Sequence, residues 1–299
     1  MRSRLPVTEG LISVVIPSYN CAQFITEAIA SVFRQSYRPL ELIVVDDGSA
    51  DASRKVIRHT CNHPPVDNFI LIEQPNRGAH AAIMCGLDAA NGEYVRILNC
   101  DDFYHPDRFS KIVPLLSNGR SLAFSGVRFV DSRGRDLPSD TSWPAWYAKA
   151  LAEIDHCPTV GFALLTHNFS VSSGNFLFRR ALYDKLRGFS EHRFVHDWDF
   201  LMRSIHYCEP LFVREPLLNY RIHDNNTTET VRDRLRAEWS GALRRYIQLV
   251  TSEPSPNPLA PCPENWPRFF ARFTRDRPLP FSPDESLAEL WENQSKNFY

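Results

Sequence analysis

The sequence lacks any long hydrophobic run, and its charges balance. The longest apolar candidate, residues 160–165, is far shorter than the roughly 20 residues that cross a bilayer. The 34 basic and 35 acidic residues give a net charge of −1, so no general basic field recruits nucleic acid. Glu9 interrupts the N-terminal segment before a short apolar run, which is typical of a first strand rather than a signal peptide. We therefore expect a cytoplasmic protein that does not bind nucleic acid.

Closely spaced cysteine pairs are also lacking. The seven cysteines are scattered along the chain, and none of them forms a Cys-x-x-Cys motif. An odd number of scattered cysteines predicts free thiols in a reducing compartment. It speaks against a disulfide framework and against a zinc site built from thiolates.

What the chain does contain is an alternation of short apolar runs and amphipathic helical patterns. Buried strands are predicted at residues 11–16, 40–45, 69–72 and 93–98, with a helix after each of the first three. This order predicts an α/β fold with a mainly parallel sheet. Asn20 is placed to cap the first helix. We expect one domain over residues 10–225 and a helical, proline-interrupted extension over residues 226–299.

Polar side chains follow three of these strands: Tyr19-Asn20, Asp46-Asp47 and Asp101-Asp102. The carboxyl ends of parallel strands share one edge of the sheet, where ligands bind. Adjacent carboxylates repel unless a cation or hydrogen-bond donors neutralise them, and Mg²⁺ is commonly held by one or two carboxylates plus substrate phosphates. Each acidic pair also has a simpler interpretation as helix-capping or turn chemistry.

Two later residues are further candidates. Asp197 lies where a helix is predicted to begin, so it either points into a cleft or caps that helix. His223 closes the segment Tyr220-Arg221-Ile222-His223 and is either a ligand or a structural histidine.

Six ordered motifs give the chain a clear resemblance to family 2 glycosyltransferases. They are Val15-Ile16-Pro17-Ser18-Tyr19-Asn20, Val44-Val45-Asp46-Asp47-Gly48-Ser49, Asn76-Arg77-Gly78, Leu98-Asn99-Cys100-Asp101-Asp102, His196-Asp197-Trp198-Asp199 and Tyr220-Arg221-Ile222-His223. The resemblance implies the GT-A fold, a nucleotide-sugar donor, Mg²⁺ or Mn²⁺, and inversion at the anomeric carbon. Asn99 stands where many members carry an aspartate.

Carried over residue by residue, the resemblance implies a role for each motif. Asp47 and Tyr19 correspond to nucleobase contacts, and Asp101 to a ribose contact. Asp102 corresponds to the metal ligand, His223 to a contact with metal or diphosphate, and Asp197 to the catalytic base. Pro17, Asn20 and Gly78 complete the donor-binding set.

The expected activity is transfer from a nucleoside-diphosphate sugar, with UDP favoured, to a hydroxyl of a glycan or lipid-linked saccharide of a surface polysaccharide. The alternatives are a non-catalytic nucleotide-sugar-binding protein and a sugar nucleotidyltransferase; the latter would require a glycine-rich phosphate loop after the first strand. Trp143, Trp146, Tyr147 and His167 are either an acceptor wall or lid packing.

The C-terminal extension carries an aromatic and basic stretch over residues 266–277. Its aromatic residues are Trp266, Phe269, Phe270 and Phe273, and its basic residues are Arg268, Arg272, Arg275 and Arg277. Such a helix suits an anionic membrane surface, which predicts peripheral membrane contact. The alternative is packing on the catalytic domain or on a second subunit of a homo-oligomer, with the arginines paired to Asp284, Glu285 and Glu289.

Overall fold

The computed structural model describes residues 7–116, 120–192, 194–223 and 232–269, together with the backbone of Pro278–Leu279 and Ser282–Ser286. The chain divides into two units. The first contains Met1–Pro138, Ser170–Gly188 and Phe212–His223, and the second contains Ser139–Phe169, Phe189–Leu211 and Asp224–Tyr299. This division differs from the single boundary expected near residue 226, because residues 139–169 and 189–211 also belong to the second unit.

The first unit is built on an eight-stranded sheet in the order β3-β2-β1-β4-β7-β6-β8-β5. The strands are β1 (Thr8–Ser18), β2 (Leu40–Asp46), β3 (Asn68–Glu73), β4 (Gly92–Ile97), β5 (Phe103–Tyr104), β6 (Leu122–Val130), β7 (Leu177–Arg179) and β8 (Leu211–Arg221). β1 pairs in parallel with β2 and β4, and β2 pairs in parallel with β3. β7 is antiparallel to both β4 and β6. The predicted parallel half of the sheet is confirmed.

Helices connect and cover the strands. They are α1 (Ile25–Phe33), α2 (Ser53–Thr60), α3 (Ala79–Ala89), α4 (Arg108–Ile112), α5 (Ser142–Ile154), α6 (Val160–Leu164), α7 (Arg180–Lys185), α8 (His196–Tyr207) and α9 (Arg232–Ser252). The amphipathic pattern expected for the helix after the first strand is confirmed in α1, where Ile25, Ala28, Ile29 and Val32 are buried. The capping role predicted for Asn20 is wrong, because α1 begins after Phe24 and has no side-chain cap. Among the described helices, none has the length and apolar character needed to span a membrane.

In the second unit, α8 and α9 pack through aromatic rings, with the centroids of Trp198 and Trp239 5.4 Å apart. In the C-terminal stretch, the Trp266 and Phe269 rings both contact Phe162, at 5.6 and 5.1 Å between centroids. These two contacts agree with the packing alternative for the tail. The rest of the predicted aromatic and basic stretch and its acidic partners cannot be compared, because these residues lie outside the described part of the chain: Phe270, Arg272, Phe273, Arg275, Arg277 and Glu289, and the side chains of Asp284 and Glu285.

Candidate active site

The loops after β1, β2 and β4 meet at one edge of the sheet, as predicted from the parallel pairing. Asn20 joins the first two loops, because its Oδ1 accepts a hydrogen bond from the Ala50 N–H at 2.8 Å and its own N–H donates to Ser49 Oγ at 3.0 Å. Asn20 therefore holds the loops after β1 and β2 together. Tyr19 beside it is half exposed, which leaves a ring face open for stacking. Pro17 lies within β1, paired with Val45 of β2.

A disulfide also links two of these loops. Cys21, after β1, is bonded to Cys100, after β4. The expectation of free thiols is therefore wrong for these two cysteines, whereas the other five are free. The two residues are 79 positions apart in sequence, so the pairing arises from the neighbouring positions of β1 and β4 rather than from a local motif.

Asp47 is buried and holds the loop that leads into α3. Its Oδ1 accepts hydrogen bonds from Gln74 Nε2 at 2.6 Å and the Arg77 N–H at 2.9 Å, and its Oδ2 accepts from the Gly78 N–H at 2.8 Å. The two loops approach closely at Gly48, where φ is +74° and a Cβ would lie 2.7 Å from the backbone nitrogen of Asn76. Glycine is therefore needed at position 48 for the loop to sit against Asp47.

The adjacent carboxylates Asp101 and Asp102 have different environments. Asp102 is 1% exposed; its Oδ1 accepts from the Arg221 N–H at 2.9 Å, and its Oδ2 accepts from Asn99 Nδ2 at 3.1 Å. The Asp101 side chain is 26% exposed, and its Oδ2 lies 3.0 Å from His223 Nε2. His223 in turn stacks on the Phe24 ring. The structure therefore pairs His223 with Asp101, whereas the sequence predicted Asp102 and His223 as the metal-binding pair.

The pKa of Asp102 reflects its burial. Burial, followed by the neighbouring charge of Asp101, raises the pKa of Asp102 well above its usual range, although the Arg221 and Asn99 hydrogen bonds oppose the rise. Both oxygens of Asp102 accept hydrogen bonds within the protein, and the metal-ligand role of Asp102 stays a prediction.

Within the described part of the chain, no group of three His, Cys, Asp or Glu side chains could enclose a metal. A nucleotide-bound Mg²⁺ or Mn²⁺ needs fewer protein ligands, because phosphate oxygens and water complete its coordination. Asp101 Oδ2 and His223 Nε2 are two partly exposed donor atoms of suitable chemistry at 3.0 Å. The residues present therefore fit a divalent cation shared with a diphosphate.

Arg221 holds the Asp101 loop through contacts that the sequence did not indicate. Its Nε donates to the Asp101 carbonyl at 2.7 Å, its Nη1 donates to the Asp131 and Ser132 carbonyls at 3.1 Å each, and its Nη2 pairs with Glu27. The side chain is 1% exposed. The only signal in the sequence is its place in the motif with Tyr220 and His223, which says nothing about these partners.

In the second unit, Asp197 lies in the first turn of α8, as predicted, and is 8% exposed. Its Oδ1 accepts from the Trp198 N–H at 2.7 Å and its Oδ2 from Asn168 Nδ2 at 3.2 Å. Burial raises the pKa of Asp197, against smaller opposing effects from His196 and these hydrogen bonds. A raised pKa makes a carboxylate a better proton acceptor near neutral pH.

Comparison with known proteins shows the family of the chain. The model of Glycosyl transferase family 2 matches residues 13–187, more than half of the chain. An uncharacterised glycosyltransferase of Rickettsia typhi is 28% identical over 249 residues, which are 80% of this chain and 73% of that protein.

Two solved structures share the fold. Mannosyltransferase PcManGT from Pyrobaculum calidifontis, in complex with GDP-Man and Mn²⁺, has a TM-score of 0.60 at 19% identity, over 96% of this chain and 80% of its own. S. aureus TarS 1–349 in complex with UDP has a TM-score of 0.57 at 18% identity, over 79% of this chain and 65% of its own.

The chain therefore has the GT-A fold of these glycosyltransferases. The chain belongs to glycosyl transferase family 2.

Proposed function

We propose that the protein transfers a sugar from a nucleoside-diphosphate sugar to an acceptor hydroxyl, with inversion and with the help of a divalent cation. The observation that carries the proposal is the partly exposed Asp101–His223 pair at the carboxyl edge of the parallel strands, the edge at which the exposed Tyr19 follows β1. Nucleotides bind α/β sheets at this edge. No observation favours a sugar nucleotidyltransferase or a non-catalytic binding protein.

We assign the nucleobase to Tyr19 and Asp47. The Tyr19 ring offers a stacking face. Asp47 Oδ2 accepts the Gly78 N–H, so a ring N–H of the base would join or replace that donor. UDP remains the favoured nucleotide, supported by the UDP complex of TarS, although the GDP-Man complex of PcManGT indicates that relatives differ in donor.

We assign the cation to Asp101 and His223, in place of the Asp102 assignment from sequence. When bound, the cation neutralises the charge that develops on the departing nucleoside diphosphate. Asp102 and Arg221 hold the loop in place, and Arg221 brings a positive charge to the backbone of Asp101.

We assign the proton transfer to Asp197, which takes the proton from the acceptor hydroxyl as that oxygen attacks the anomeric carbon. The other candidate on the same turn is Asp199. Its Oδ2 accepts from Arg203 Nε at 2.8 Å and its Oδ1 from Arg245 Nη2 at 2.6 Å. Although burial opposes them, these arginines lower the pKa of Asp199, so it is the weaker base of the two.

The acceptor remains a growing glycan or lipid-linked saccharide. Support comes from α5, where the half-exposed Trp146 lies 5.8 Å from the Trp143 ring, since sugars stack on aromatic faces. Tyr147 is buried and serves packing. A cytoplasmic site of action and contact with the membrane surface belong to the same proposal, because lipid-linked acceptors lie at that surface.

Thermal unfolding with UDP tests the donor site and its cation together. We expect UDP to raise the melting temperature with Mn²⁺ and much less with EDTA, because the cation links the diphosphate to the protein. A ligand at a hundred times its Kd adds about 2.7 kcal/mol to the free energy of unfolding. Asp101→Asn should abolish the Mn²⁺-dependent increase, and Asp140→Asn, at an exposed aspartate, should leave it unchanged. If UDP binds equally tightly without metal, the cation assignment is wrong. If Asp102→Asn removes the increase while Asp101→Asn does not, the ligand is Asp102.

A further inference from the structure

Helix α9 contacts the chain at the start of α8, and both helices follow the segment 13–187 that matches the family. Glu238 Oε2 accepts hydrogen bonds from two consecutive backbone amides, the Phe194 N–H at 2.8 Å and the Val195 N–H at 3.2 Å. The N-terminus of a helix leaves several amides without a partner inside the helix. The two amides belong to the N-cap residue Val195 and to Phe194 before it, so they lie at the entry to the first turn of α8. Glu238 therefore supplies, from another helix, a carboxylate at the entrance to α8.

A second contact from α9 lies on the other side of Asp197. Arg245 Nη2 donates to Asp199 Oδ1 at 2.6 Å, while Arg203 of α8 holds the other oxygen. Asp199 is 1% exposed, so this ion pair is shielded from water on the Asp199 side. α9 thus contacts the chain on both sides of Asp197, at the backbone amides of residues 194–195 and at the side chain of Asp199.

Asp197 itself depends on that turn. Its Oδ1 accepts from the N–H of the next residue, Trp198, at 2.7 Å, so the direction of the carboxylate follows the backbone of the first turn. Trp198 is in turn packed against Trp239, the residue next to Glu238 on α9. A change in the first turn of α8 would therefore rotate or displace the carboxylate.

We propose that Glu238 and Arg245 are positioning residues, through which α9 fixes the orientation of the base Asp197. This inference rests on the proposed function, because it takes Asp197 to be the proton acceptor. It gives the C-terminal extension a role in the reaction: the extension completes the proton-transfer part of the site.

The test measures kcat and KM for UDP-sugar cleavage with Mn²⁺, from release of UDP. Glu238→Ala removes the acceptor of two amides, and a displacement near 1 Å at a reacting group costs up to about 100-fold. We expect kcat to fall at least about tenfold, with KM for the donor unchanged within a factor of two. Glu238→Gln retains an oxygen that accepts both N–H groups, so it should restore most of kcat. Arg245→Ala should lower kcat, and Arg244→Ala, at the exposed neighbouring position, should not.

A double-mutant cycle separates positioning from general destabilisation. If Glu238 acts through Asp197, Glu238→Ala should have little further effect on kcat once Asp197→Asn has been made. Hydrogen exchange should rise at residues 194–200 in Glu238→Ala and stay unchanged in the sheet. A kcat loss of equal size in the Asp197→Asn background, or a general rise in exchange, overturns the inference.

The two proposals fail in different ways. Asp197→Asn with wild-type kcat overturns the assignment of the base in the proposed function. A slow Asp197→Asn together with a Glu238→Ala that keeps wild-type kcat overturns the role of α9 alone.

Discussion

Replacement of Arg221 by methionine tests how the loop that carries Asp101 is held. Methionine keeps an apolar stem of similar length and removes the guanidinium. That group donates to three backbone carbonyls and pairs with Glu27, and the side chain is 1% exposed. The Arg221 N–H, which donates to Asp102, is kept in the variant.

The expected loss in the free energy of unfolding follows from these contacts of the guanidinium. A hydrogen bond that involves a charged group contributes about 1.5–3 kcal/mol, and removal of one partner from a buried ion pair costs about 3–5 kcal/mol. The Glu27 side chain is 44% exposed and can be hydrated, so we take the lower end for that pair. We expect Arg221→Met to lower the free energy of unfolding by about 3–5 kcal/mol.

Urea unfolding measures this loss, and titration with UDP and Mn²⁺ measures its effect on the site. The variant should bind UDP more weakly in the presence of Mn²⁺. Its side chain no longer donates a hydrogen bond to the Asp101 carbonyl, so the loop that carries the Asp101 carboxylate is held less firmly. Arg221→Lys should be intermediate, since one ammonium group cannot reach carbonyls in several directions. Arg133→Met, at an exposed arginine nearby, should change stability by less than about 0.5 kcal/mol. A loss below about 1 kcal/mol for Arg221→Met would refute the reasoning.

Two further predictions concern stability and covalent structure. Burial raises the pKa of Glu209 from 4.5 to about 7, so the folded protein binds more protons than the unfolded chain between these values and its stability falls as pH rises through that window. This pKa difference corresponds to about 3 kcal/mol of unfolding free energy. Urea unfolding at pH 5 and pH 8 measures the decline, and Glu209→Gln should remove it. A decline of the same size in Glu209→Gln would contradict the prediction. Alkylation of the denatured, unreduced protein should modify five of the seven cysteines, with Cys21 and Cys100 protected; modification of all seven would contradict the disulfide.

Much of the fold was predictable because its signals are local. The apolar runs at residues 11–16 and 40–45 became β1 and β2, and the polar residues after them do lie at one edge of the sheet. The pattern of apolar positions in α1 likewise predicted its buried face. In each case the side chains that decide the structure are neighbours in sequence.

The contacts that could not be predicted join residues far apart in the chain. The Cys21–Cys100 bond depends on β1 lying beside β4, and the contact of Glu238 with Val195 depends on the packing of α9 on α8. Motif order likewise could not tell which of two adjacent aspartates is buried. Asp102 turned inward because the Arg221 N–H and Asn99 satisfy its oxygens, which left Asp101 beside His223.

The central claim is single-displacement transfer from a nucleotide sugar, and the anomeric configuration of the first product tests it most directly. Proton NMR can follow an α-linked UDP-sugar with the protein and Mn²⁺, either with an acceptor or with water as a slow acceptor. We expect UDP to be released together with a sugar that is first β-configured. A first product that keeps the α configuration, or no cleavage of any UDP-, GDP- or dTDP-sugar, would contradict the account.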